Sequence, residues 1–462
     1  MKHLPDSSLR YRWVQNDIIS LKCVSHVSVN MSENRRLDAF SLAALLVSAH
    51  YGLGFLLGTA EKSLTLGAAG SLYAISLGLG TIALLGLAKF YWTRVDQIWT
   101  LLGNSYGSQV KILVGLMSWT SLIGIEAVQM ISGAFILKVL GVPVLSSMVV
   151  LAILFTLVSL LPVEKAGFLF RGLLILNFLA LLYGLWVLHA LPDYLRSPLE
   201  FIKSLKLVSL PTTVGISLST ILLVLIDMKY QQFVVQAKDV KSLFQGCVLA
   251  AILLLALALL PSSVVIAAHD AGILPAGIDG KETLPFILSW IGGGTDQPLG
   301  IVLIMSLLVP ALGVGSSILR VQTKTVLDFE ILPASNSNRL LITVTNVLLA
   351  LAVALKGGEI INLIVSFYAA YVSAVFVPFV VYLLAQTGRY TFSGASVKLS
   401  LIMSSISASS MLILNLINPN AAFFGSVELN IMGIGIGFGV LGLLVGQAIE
   451  KYKPASKVGE ET

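Results

Sequence analysis

Ser48-Ala-His-Tyr-Gly-Leu-Gly-Phe-Leu-Leu-Gly-Thr-Ala-Glu-Lys-Ser-Leu-Thr-Leu-Gly67 sets glycines and a histidine inside a segment that otherwise has the composition of an apolar helix. Glycine costs about 1 kcal/mol relative to alanine in a helix interior. An ionisable group at membrane depth is costlier still unless it faces a partner or a watered cavity. Gly52, Gly54 and Gly58 follow His50 and Tyr51 directly. Glycines alone have a plain explanation in close helix packing. The histidine beside them makes the stretch a candidate for a helix interrupted at a binding site.

The surroundings of this stretch define the class. The chain is 56% hydrophobic and 11% charged, with a mean hydropathy of +0.93. A soluble domain carries about 25% charged residues, so the pattern is that of an all-α polytopic membrane protein whose first partner is the lipid bilayer. Twelve apolar stretches are long enough for a core roughly 30 Å thick: 38–60, 66–90, 112–137, 145–163, 170–190, 210–228, 243–268, 299–320, 339–355, 359–385, 398–417 and 430–450. Residues 1–37 hold no apolar run of signal-peptide length and read as a cytoplasmic tail, as do residues 451–462.

An even number of crossings puts both termini on one side. That side receives 22 of the 29 Lys and Arg residues and the other side 7, which predicts an N-in, C-in topology in a plasma or inner membrane. The net charge of +6 therefore reports orientation, and no nucleic-acid partner is expected. Cys23 and Cys247 form neither a disulfide framework nor a metal-ligand spacing.

Spans one and six are the irregular ones. Span six opens with Pro211-Thr212-Thr213-Val-Gly215-Ile-Ser217-Leu-Ser219-Thr220, where small hydroxyl residues can replace backbone partners if the helix unwinds. The two spans stand five helices apart, the spacing of equivalent helices in two inverted five-helix repeats, with a binding site between discontinuous helices at the midplane. On span three, Glu126, Gln129 and Gly133 share one helix face. An intramembrane Glu126 is either a cavity-facing group or a hydrogen-bonded structural one.

Other features have paired readings. Asp279–Trp290 reads as a short amphipathic helix on glycine hinges that caps an outer vestibule, or as a surface helix resting on the membrane. Tyr368 and Tyr371 of span ten line a gate or serve as packing aromatics. Arg320, Lys324 and Asp328 form an amphipathic extension of span eight, with Arg320 the member nearest the membrane. The glycines of span twelve, from Gly433 to Gly446, have small-xxx-small spacing and read as a helix contact. No Walker loop, nucleophile elbow or His-Glu-x-x-His motif is present. Neither an enzyme nor an ATP-driven pump is indicated, no cofactor is expected, and energy would come from a gradient.

Several stretches resemble the sodium:solute symporter family. Gly54–Glu61 followed by Gly67 looks like its first core helix, and Ala127–Ala134, which contains Gln129, is similar to its third. Tyr230-Gln-Gln-Phe-Val-Val-Gln-Ala-Lys-Asp239 resembles the signature after the sixth core helix, and Thr325–Asp328 the end of the eighth. The resemblance covers about residues 40–385. It implies a leucine-transporter-like fold of five plus five inverted helices in residues 38–385, two additional helices in 386–450, alternating access, and sodium-coupled movement of small solutes.

In such proteins sodium lies between helix one and two adjacent hydroxyl residues of helix eight. Anchoring on Asp328 puts Leu312 and Gly313 at those positions, and neither supplies a side-chain oxygen. Ser316 and Ser317, one turn later, would serve with a shifted register, opposite Ala49 and Gly52.

The expectation is a secondary transporter for a small organic solute. The substrate-binding candidates are His50, Tyr51, Gly52, Gly54, Glu126, Gln129, Thr212, Thr213 and Ser217. The gating candidates are Trp290, Tyr368 and Tyr371. Sodium would use Ala49, Gly52, Ser316 and Ser317, and a proton would use His50 or Glu126. The alternative is a non-transporting membrane sensor or scaffold on the same fold.

Overall fold

The computed structural model describes residues 35, 37–94, 97–160, 163–329, 332–333, 335–418 and 422–452. The two tails assigned from sequence lie almost wholly outside the described residues. Among the described residues there are eighteen α-helices: α1 (Ala39–His50), α2 (Leu53–Leu66), α3 (Leu72–Arg94), α4 (Ile98–Tyr106), α5 (Ser108–Val139), α6 (Val144–Leu160), α7 (Val163–Val187), α8 (Leu191–Ser204), α9 (Leu210–Ile226), α10 (Met228–Val234), α11 (Val240–Ala258), α12 (Leu260–Asp270), α13 (Thr283–Ile291), α14 (Pro298–Leu327), α15 (Asn336–Lys356), α16 (Ile360–Gln386), α17 (Gly394–Ile417) and α18 (Val427–Tyr452).

Eight helical stretches among the described residues are long and apolar enough to cross a membrane, and the shorter apolar helices α1, α6 and α9 add to them. A further candidate bends by 102° where α7 gives way to α8. Each of the twelve stretches anticipated from sequence is occupied by helix. Lipid cannot hydrogen-bond backbone groups, which is why every crossing is helical. Large apolar side chains stand exposed around the outside, among them Leu157, Ile175 and Leu348, as a lipid-facing surface requires.

Local chemistry places the helix ends. Asp38, Ser209, Asp239, Ser335 and Ser393 cap α1, α9, α11, α15 and α17, each side chain accepting from an amide of the first turn. After α2 the chain doubles back through a 3-10 turn at Gly67–Ser71, and a Cβ on Gly70 would stand 2.5 Å from the Ser63 backbone nitrogen. Only glycine allows that approach.

The first anticipated span is two helices, α1 and α2, broken at Tyr51 and Gly52. The sixth is also two, α9 and α10, but its break is not where the hydroxyl-rich opening suggested. Residues 210–226 form one continuous helix, and the chain leaves it at Asp227 (φ −76°, ψ 131°). The hydroxyls of Thr213 and Ser219 donate to Ser209 O and Gly215 O within the helix, so they satisfy themselves without unwinding it.

α16 is buried along nearly its whole length and packs against α2, α5, α9, α17 and α18. α17 and α18 pair closely, as the glycine spacing predicted: Cβ atoms on Gly442 and Gly446 would lie 2.9 Å from Ser400 Cα and 2.6 Å from Ser396 Cα.

The end carrying α8 and α13, here the loop end, is tied by ion pairs. Lys281 Nζ lies 2.9 Å from Glu61 Oε1, Lys62 Nζ 2.6 Å from Glu359 and Lys138 Nζ 2.5 Å from Glu282. At the opposite end Leu37 N donates to Gln236 O (3.0 Å), and Lys238 N donates to Leu37 O (2.9 Å). Arg35 lies over the Trp92 ring, and Trp92 Nε1 donates to Ala237 O.

Candidate functional site

The two helix breaks pack on each other. His50, the last residue of α1, stacks on Tyr230 of α10 with ring centroids 4.1 Å apart and planes 13° from parallel. His50 Nδ1 lies 2.7 Å from Leu46 O, which fixes the proton on that nitrogen and leaves Nε2 directed elsewhere. Beyond the break the first amides of α2 receive no side-chain cap from Gly52. A helix N-terminus without a cap presents donors and a partial positive charge.

At the second break the orphaned carbonyls of α9 are taken up by neighbours. Tyr91 Oη donates to Leu225 O (2.6 Å), Gln231 Nε2 to Ile226 O (2.9 Å), and Tyr371 Oη reaches Ile226 O at 3.5 Å. Tyr371 thus braces the break. Asp227 supplies a buried carboxylate at the same point, 4% exposed. Sequence reasoning passed over Asp227 because it follows an apolar run and precedes polar residues, where it reads as the end of a span.

Between the breaks lies a cavity of about 10 Å³, roughly the room of one water. Ala49, His50, Gly52 and Gly54 form one wall. Gln129, Tyr230 and Tyr368 supply further polar groups, with Phe55 and Ile125 among the apolar ones. Tyr368 Oη lies 3.4 Å from Tyr73 Oη. Gln129 Oε1 is buried and accepts no hydrogen bond among the described residues.

Other anticipated residues are placed differently. Tyr51 turns to α7, its hydroxyl 3.5 Å from Asn177 Oδ1. Gly54 and Gly58 are packing positions as well: a Cβ there would lie 3.1 Å from Ile364 and 2.9 Å from Ile360. Glu126 is fully buried next to the cavity-lining Ile125, and neither of its oxygens has a hydrogen-bond partner among the described residues. Thr212 and Thr213 stay at the start of α9 on Ser209, and Ser217 meets Ser76 of α3 at 3.2 Å, so none of the three lines the cavity.

The α14 residue facing the first break is Val314, 3.5 Å from where a Gly52 Cβ would be. Ser316 and Ser317 donate to Gly313 O and Val314 O of their own helix, and the arrangement offers no hydroxyl pair opposite Ala49 and Gly52. Arg320 is tied to α6: its Nε and Nη2 donate to Ser159 O and Val158 O at the end of that helix. The segment around Asp279–Trp290 is joined to α2 through Lys281, and Trp290 is 42% exposed. No group of three or more His, Cys, Asp or Glu suited to a metal occurs among the described residues.

No protein-family model matches the chain, and no curated protein does. Solved structures are similar in fold. A Na+-coupled sialic acid symporter in a substrate-bound outward-open state aligns with a TM-score of 0.57 at 14% identity, over 91% of this chain and 97% of that one. A nucleobase-cation-symport-1 family transporter, closed with bromovinylhydantoin bound, gives 0.52 at 13% identity over 90% and 94%. MhsT in complex with L-phenylalanine gives 0.52 at 17% identity over 89% and 100%. At such identities the likeness is one of architecture, and it is near full length on both sides: the chain is a polytopic membrane protein of leucine-transporter-like fold.

Proposed function

We propose that the protein is a secondary active transporter that moves a small organic solute by alternating access, with a proton as the coupling ion. The observation that carries this reading is the closed cavity between two interrupted helices, His50 stacked on Tyr230 across it, with contacts sealing both ends of the molecule. Ligand pockets occupy about 300–1,000 Å³, so a solute enters this cavity only after α2 or α9 shifts. The uncapped amides of α2 suit an acceptor on the solute, Gln129 Oε1 suits a donor, and Phe55 and Ile125 suit a short apolar body. In this reading residues 38–385 are the transporting core, residues 386–450 the two additional helices, and the loop end faces outward.

Val314 at the position opposite Gly52 favours the proton over sodium, which requires oxygen ligands. Glu126 is the candidate carrier: a buried carboxyl without a hydrogen-bond partner exchanges a proton without breaking a structural contact. The test is uptake into proteoliposomes of whichever solute a stabilisation screen identifies. Uptake should follow a pH gradient, lose that dependence in Glu126→Gln and be unaffected when potassium replaces sodium. Collapse of uptake without sodium would overturn the proton assignment. Specific binding with no flux for every ligand would replace transport with a sensor or scaffold role, the second reading that the apolar Val314 supports.

A further inference from the structure

A second cavity, of about 490 Å³, opens at the loop end between α9, α16, α17 and α18 and shares no lining residue with the central one. Its wall contains Glu428, which is only 4% exposed, together with Glu359, Asn362, Ser366 and Asn415. The two carboxylates differ in their neighbours. Glu359 Oε2 lies 2.6 Å from Lys62 Nζ and also accepts from Asn362 Nδ2, so its charge is matched. Glu428 makes no ion pair with any described residue; its carboxylate accepts from Ser426, and Lys62, already paired with Glu359, acts on it only at longer range. Its position in the first turn of α18 offsets part of the cost of burial through the helix dipole but supplies no counter-ion. Lys356, the remaining cation on the wall, is exposed at the rim and has no ion-pair partner among the described residues.

We propose that this cavity binds a small solute carrying a protonated amino group, which takes Glu428 as its counter-charge while Asn362, Ser366 and Asn415 receive its polar remainder. The volume lies in the range of small-molecule sites. The site also touches a helix that the central cavity depends on. Thr212 of α9 is on its wall, and a Cβ on Gly215 would meet Ser426 Oγ at 2.6 Å and Glu428 Cβ at 3.1 Å. An occupant therefore bridges α9 to α18. The amine site stands independently of what the central cavity carries.

The experiment uses the full chain, purified in lipid nanodiscs, with putrescine as the probe and sodium chloride at matched ionic strength as the control. Putrescine should raise the melting temperature in a saturable way, and Glu428→Gln should weaken the apparent affinity at least tenfold while Gln129→Ala leaves it unchanged. Unaltered affinity in E428Q, or loss confined to Q129A, overturns the assignment. A measurement that needs no change at Glu428 is reaction of Ala422→Cys, made with Cys23→Ser, with a cationic methanethiosulfonate. Cys247 is buried and Ala422 lines the cavity. Slowing of that reaction by putrescine supports the site, and an unchanged rate overturns it.

Discussion

The two interrupted helices reach the same outcome by different chemistry. The first breaks at Tyr51 and Gly52, and its second half starts with amides that Gly52 cannot cap. The second breaks at Asp227 without a glycine, and the carbonyls it frees are taken by Tyr91, Gln231 and Tyr371 from three other helical elements. One break is thus open on the donor side and the other closed on the acceptor side. The difference teaches that a glycine marks a break the backbone makes easily, whereas a buried acid marks one that the surrounding side chains hold in place.

That contrast is most directly challenged at Asp227. Asp227→Leu removes a buried carboxylate together with the contacts it makes at the break, with an expected loss of about 3 kcal/mol in thermal or denaturant stability. Gly52→Ala places a Cβ in ordinary contact, 3.5 Å from Val314, and should cost far less; equal losses in the same assay would break the comparison. Next comes the tie at the far end of α2. Glu61→Gln disrupts the contact with Lys281 at 2.9 Å and weakens that with Ile360 N, an expected loss of about 1.5–3 kcal/mol.

The Lys281 contact has a defined pH window. Burial works to lower the Lys281 pKa, but the neighbouring carboxylates of Glu61 and Asp279 outweigh it and raise it above 10.5. A raised lysine contributes stability below its unfolded pKa and loses it as pH rises through the folded one. The gap between wild type and E61Q should therefore stay constant through neutral and mildly alkaline pH and, on the alkaline side, narrow above 10.5.

Gly446→Leu, on the α17–α18 pair outside both breaks, gives the packing reference. Ser396 Cα would lie 2.6 Å from the new Cβ, and overpacking costs about 1–3 kcal/mol. The smallest effect is expected from Thr213→Ala, within about 0.5 kcal/mol and with no change in ligand stabilisation. A large loss there would return the hydroxyl-rich opening of α9 to the site.

Much of the architecture was legible because a membrane crossing demands an apolar run of a set length, and the twelve runs leave few alternatives. The first break was legible through His50 and its glycines. The second was not, because α10 is seven residues long and carries Gln231 and Gln232, so hydropathy ends where the helix merely breaks. The hydroxyls of Thr213 and Ser219 were misleading because a helical hydroxyl has an acceptor in its own preceding turn. α8 was hidden because it lies bent away from α7 and draws its pattern from a surface rather than a crossing. Arg320 lay beyond sequence altogether: its partners are backbone carbonyls 161 and 162 residues away.

The clasp at the end opposite the loops sets a population. Two backbone hydrogen bonds join residue 37 to the segment after α10, at about 0.5–1.5 kcal/mol each, and Arg35 adds its contact with Trp92, so opening this end costs only a few contacts. Movement of α10 would then draw on a reservoir that thermal energy keeps filled. Whatever binds residues 35–37 from outside would empty or enlarge that reservoir without ever touching the central cavity.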